Sequence, residues 1–84
     1  MTVLVINNIK ADISDDELKE FLVRYGFPPF DGIERIPGDG FMPAAVLTFE
    51  GADPQMLRYL QPRVHNLFWN NRRLMVQVLT DRAE

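Results

Sequence analysis

The sequence predicts an α+β fold in which two helices cover one face of a four-stranded antiparallel sheet, in the order strand, helix, strand, strand, helix, strand. Three observations predict it. The chain opens on a β-branched apolar run, "TVLVINN"; a capped amphipathic helix follows in "SDDELKEFLVRYG"; and beyond two turn-rich breaks come two further strands, a second helix and a last strand.

Each element has its own physical cause. "TVLVINN" is apolar and β-branched until Asn7 and Asn8 close it, which favours a buried strand ending in a turn. In "SDDELKEFLVRYG", Ser14 is placed to accept from the backbone of Glu17 while the Glu17 carboxylate reaches back, a capping box at a helix start. Leu18, Phe21, Leu22 and Tyr25 then recur at helical spacing and form one apolar face, and Gly26 ends the helix. "FPPFDG" is a stiff loop, because two prolines fix their backbone and lack donors. "GIERI" is a short strand stopped by Pro37 and Gly38, and the "PGDG" turn leads into a third strand, "FMPAAVLTFE". Asp53 and Pro54 start a second helix, whose stripe of Met56, Leu57 and Leu60 runs until Pro62 interrupts it. "RRLMVQVLT" alternates as a last strand, with Leu74, Val76 and Val78 on one side and Met75, Gln77 and Leu79 on the other.

Composition narrows the function classes. With 84 residues, 46% hydrophobic and 25% charged, the chain is expected to form one domain, 1–84, near the lower end of what folds without metal or disulfide help. It contains no cysteine, so disulfides, thiolate metal sites and cysteine nucleophiles are excluded, and a reducing cytoplasm suits it. The opening apolar run is short and unpreceded by basic residues, which fits a strand and neither a signal peptide nor a membrane span. The net charge of −3 is not that of a strong non-specific nucleic-acid binder, although five arginines in the second half of the chain place any basic surface there.

Strand parity then decides which side chains the uncovered face displays. If Leu47 and Phe49 face the helices, Ala44, Val46 and Thr48 face outward; if Leu4 and Ile6 are inside, Val3, Val5 and Asn7 are outside, joined by Met75 and Gln77. This is the split β-α-β, or ferredoxin-like, βαββαβ sandwich.

From about Val3 to Val78 the chain resembles the RNA recognition motif family. "LVINNI" sits where that family's strand-one hexamer lies, with Asn8 and Ile9 matching its closing pair. "SDDELKEFLVRYG" is similar to its first helix, "AVLTF" to the end of its strand-three octamer, and "RRLMV" to the start of its fourth strand. The departures fall on the positions that stack bases in that family. Val5 stands at the hexamer's aromatic position, Ala44 and Val46 at the octamer's two, and Met42 where a basic residue opens the octamer. The resemblance therefore implies the scaffold without its stacking platform, and a stacked base contributes about 1 to 3 kcal/mol.

The expected function is RNA binding of modest affinity, with single-stranded RNA on the open face. The candidate contacts are Val5, Asn7, Ala44, Val46, Thr48, Met75 and Gln77, flanked by Arg72, Arg73 and Arg82. Apolar planes would underlie bases, amides would meet base edges and arginines would meet phosphates. The competing explanation is that a β-branched face has high strand propensity and that Arg72 and Arg73 are solvated charges. The alternative function is protein interaction: self-association through Val3, Val5, Ala44, Val46 and Met75, or capture of a partner by the acidic first helix. Some members of the resembling family hold a basic, tryptophan-bearing peptide in that way, and Phe68 and Trp69 would supply the aromatic contact. The Arg-x-Phe sequence those members carry is missing, acids in a first helical turn complement the helix dipole, and Trp69 is expected to anchor the core. Phe27, Phe30 and Phe41, in or beside loops, either cap the core ends, the commoner case, or stack bases at the edge of the sheet.

Catalysis is not expected. Acylphosphate-hydrolysing proteins of this element order need an arginine and a glycine-rich cradle after strand one, where this chain has "NNIKADIS". Metal chaperones of the same topology need paired cysteines. His65 is the sole histidine and is expected at the surface, so no metal or other cofactor is assigned.

Overall fold

The computed structural model describes residues 2–10, 12–37 and 43–80, with residue 80 described by its backbone alone. In chain order the elements are β1 (Thr2–Asn7), α1 (Asp15–Arg24), β2 (Gly32–Ile36), β3 (Ala44–Phe49), α2 (Pro54–Val64), β4 (Phe68–Trp69), β5 (Arg72–Arg73) and β6 (Met75–Thr80). β2, β3, β1 and β6 lie side by side in that order as one antiparallel sheet, and β4 and β5 form a separate hairpin. The expected α+β sandwich is present, with the hairpin added to it.

α1 begins as the sequence predicts. Ser14 Oγ accepts from Glu17 N–H at 3.1 Å, and Glu17 Oε1 accepts from Ser14 N–H at 3.1 Å, so two helix-start donors are satisfied reciprocally. The helix ends by the converse device. Gly26, at φ +100°, turns the chain left-handed so that its N–H reaches Val23 O and the Phe27 N–H reaches Leu22 O, both at 3.0 Å. Phe27 and Leu22 are then buried together below the turn.

Three boundaries differ from the sequence expectation, the first being β3, which covers only Ala44–Phe49 of "FMPAAVLTFE", with the described Pro43 and Glu50 outside it. α2 does not stop at Pro62 but runs to Val64. Proline lacks the N–H that would bond four residues back, yet Pro62 and Arg58 both lie on the exposed side, so the interruption falls where solvent can compensate. Asp53 caps this helix as expected, accepting from Gln55 N–H at 3.0 Å. The last strand is also broken, into β5 and β6 on either side of Leu74, because "FWNNRR" folds back on itself. Asn70 and Asn71 have φ of 52° and 64°, the pair of left-handed residues that a tight hairpin turn requires.

The core lies between the sheet and the helices, around Leu4, Ile6, Leu47, Phe49, Leu18, Leu22, Leu57 and Val76. Phe27 and Phe30 belong to it, at 2% and 7% exposure; Phe41 lies outside the described residues. Trp69 stacks on Phe21, with ring centroids 4.1 Å apart and planes 17° from parallel, and so ties the hairpin to α1. Arg35, on the helix side of β2, donates from Nη2 to Ile13 O at 2.6 Å and Asp15 Oδ1 at 3.0 Å, fastening the outer strand to the start of α1.

Ser14→Ala removes one half of the capping box and is expected to lower stability by about 0.5 to 2 kcal/mol. A urea melt checks it: the midpoint falls while the slope is unchanged.

Candidate nucleic-acid interface

The uncovered face follows from register. Directly paired residues in an antiparallel sheet share a side. Leu4 pairs with Leu47 and Val78, and Ile6 with Ala45 and Val76; these point to the helices. Val3 pairs with Thr48 and Leu79, Val5 with Val46 and Gln77, and Asn7 with Ala44 and Met75; these point away. The structure thus brings Val5, Asn7, Ala44, Val46, Thr48, Met75 and Gln77 onto one face.

Ala44 differs from the expectation that it would be displayed. Although it points to the open face it is only 6% exposed, because its register partners Ile36 and Asn7 carry longer side chains on the same side. Sequence reasoning also missed what β2 contributes. Glu34 lies opposite Val46 and Ile36 opposite Ala44, so the outer edge of the face bears a carboxylate and an aliphatic side chain that is 45% exposed. The alternation of "GIERI" held that signal once its pairing with β3 was known.

The arginines lie beyond the opposite edge. Asn8, at φ 67°, ends β1 in a left-handed turn and aims its amide at the hairpin. Its Nδ2 donates to Arg73 O at 2.9 Å, and its Oδ1 accepts from Arg72 Nη1 at 3.0 Å. Arg72 is consequently half-buried and held, not a freely solvated charge, while Arg73 is exposed. Arg82 lies outside the described residues. The open face therefore runs from an acid on β2 to cations beside β6, with aliphatic and amide side chains between.

His65 also departs from expectation. It is half-buried, and its Nδ1 accepts from Val76 N–H at 3.0 Å while Gln61 Nε2 donates to Val76 O at 2.5 Å. Together they occupy the N–H and C=O of Val76 on the outer edge of β6, a pairing that local spacing in the sequence does not reveal. Among the described residues no three His, Asp or Glu side chains cluster as a metal site, and no helix is long and apolar enough to cross a membrane.

The chain shares an open-faced sheet of this topology with solved structures. It matches the third RNA recognition motif of Mip6 with a TM-score of 0.73 at 13% identity, covering 90% of each chain. It matches the corresponding domain of Pes4 with a TM-score of 0.72 at 19% identity, over 100% of this chain and 98% of that one. RNA recognition domains 1 and 2 of Sex-lethal from Drosophila melanogaster match with a TM-score of 0.67 at 20% identity, over 92% of this chain and 48% of theirs. The sequence matches no protein-family model and no curated protein. The fold is that of the RNA recognition motif.

Asn8→Gly keeps the left-handed turn accessible while removing the amide that holds the hairpin. Amide hydrogens of residues 68–73 are expected to exchange faster than in the wild type, with those of β1 and β3 unchanged, by hydrogen-exchange measurement.

Proposed function

We propose that this domain, without catalytic activity, binds single-stranded RNA on its open sheet face with modest affinity. One observation carries the reading most strongly: a face of aliphatic and amide side chains bordered on the β6 side by arginines, in a fold whose solved neighbours are named as RNA recognition domains. Val5, Val46 and Thr48 provide flat apolar support, Asn7 and Gln77 provide amides for base edges, and Met75 adds a deformable apolar surface. Ala44 contributes shape more than contact area. Arg73 takes phosphate, Arg72 keeps its remaining donors beside it, and Arg82 follows two residues after β6 in the sequence. Glu34 repels phosphate on the β2 side, so the strand of RNA runs nearer β1 and β6. The expected setting is the cytoplasm.

Fluorescence anisotropy with labelled random-sequence RNA tests this. Wild type should bind at low salt, with log affinity falling against log salt by about 0.7 per contacted phosphate. Val5 and Val46 are register partners, so Val5→Tyr with Val46→Phe would set two rings side by side. That variant should bind tighter by about 1 kcal/mol or more per ring. Normal folding with no gain would remove the sheet face as the RNA surface.

A second reading has its own support. Ile36, and Leu79 at 51% exposure, extend the aliphatic face to both edges, as would suit pairing of two copies or a protein partner. Burial of apolar surface resists screening and is strengthened by sulfate, whereas RNA affinity weakens with salt. Arg72→Glu with Arg73→Glu should abolish RNA binding and leave a sedimentation-measured dimer intact.

A further inference from the structure

The sheet lacks rings where they would stack bases, but the hairpin beyond it carries one. Phe68 is 66% exposed, an unusual state for a phenylalanine held in regular structure. It pairs with Arg73 across the hairpin, and Trp69 pairs with Arg72. The two pairs point to opposite sides. Trp69 and Arg72 turn inward, to Phe21 and Asn8, so Phe68 and Arg73 turn outward together.

The side to which they turn follows from β6. Leu74 N–H donates to Leu67 O at 2.9 Å and Leu74 O accepts from Asn66 N–H at 2.8 Å, which keeps the chain extended between β5 and β6. Along this run Leu74 and Val76 are buried at 1% and 0%, whereas Arg73, Gln77 and Leu79 are exposed and Met75 is half-buried. Arg73 therefore continues the row of Met75, Gln77 and Leu79 on the open-face side. Phe68, its cross-strand neighbour, extends that row outward by one ring.

We propose that Phe68, with Arg73 beside it, is this protein's base-stacking platform, receiving one unpaired base of single-stranded RNA just past the β6 edge of the sheet. Cross-strand partners have Cβ atoms about 4.5 to 5.5 Å apart, a spacing at which Arg73 can hold the phosphate of a base lying on the ring. The hairpin is rigid enough for this. Its inward face is stacked on α1, its turn is set by Asn70 and Asn71, and Asn8 holds its second strand at two points. Tyr59 is exposed too, but it stands on α2 in the helix layer with the Arg63 guanidinium 5.5 Å from its ring centre.

The proposal rests on the RNA-binding reading, and the experiment separates the two. Labelled random-sequence RNA of ten nucleotides is titrated into wild type, Phe68→Ala, Phe68→Leu and Phe68→Tyr, each first checked by urea midpoint. Loss of affinity by roughly fivefold or more in both Phe68→Ala and Phe68→Leu, with affinity kept in Phe68→Tyr, is the expected pattern for a stacked base. Equal affinity in all four proteins would overturn the platform and leave the sheet-face site standing. If Phe68→Leu binds as wild type and only Phe68→Ala is weakened, the side chain acts as apolar bulk and stacking is refuted. No binding of this RNA by wild type at low salt would overturn both.

Discussion

Everything on the open face is decided by the burial of Leu4 and Ile6. β1 is the only strand of the sheet with both of its neighbours a full six residues long, and two of its three inward side chains, Leu4 and Ile6, sit in the core at 0% exposure, with Thr2 beside them at 1%. A slip of one residue in either pairing would carry Val3, Val5 and Asn7 into the core and expose Leu4 and Ile6. With the register fixed, Val46, Thr48 and Gln77 have no choice of side. The open face is thus a by-product of core packing, and its chemistry is whatever the alternate positions of four strands hold.

What those positions hold is uneven. The β2 side offers Glu34 and Ile36, the middle offers valines, and the β6 side opens onto arginines and a phenylalanine. The two arginines that look alike in sequence are made different by Asn8. One is locked into the joint between sheet and hairpin, and the other is left to solvent. The same asparagine satisfies the Arg73 carbonyl, which points away from β4 and would otherwise lack a partner on that side.

The parts legible in the sequence were those with local causes. The capping box at Ser14 and Glu17, the "GIERI" strand and the inside-outside division of β1, β3 and β6 all follow from spacings of two to four residues. The hairpin was harder. Strands of two residues carry no periodic pattern, and the turn signal in "FWNNRR" is two asparagines able to adopt left-handed backbone, without the glycine that usually marks such a turn. The tether of Arg72 depends on a residue 64 positions away, and the coverage of Ala44 on partners in two other strands. None of these is written in local spacing.

The strand order has a consequence for how the chain acquires its structure. Among the described elements β1 leads in chain order, yet it occupies the middle of the sheet, and its second neighbour, β6, comes after all the others. While the chain is leaving the ribosome, the β6-side row of donors and acceptors on β1 stays bare, and Val76 and Val78 are missing from the layer that seals Leu4 and Ile6. A nascent chain stalled before residue 75 would therefore present a sticky apolar edge in place of a finished sheet. The sheet is complete only when β6 lies along β1, with Gln61 of α2 and His65 at its end bonded to Val76 on the outer side.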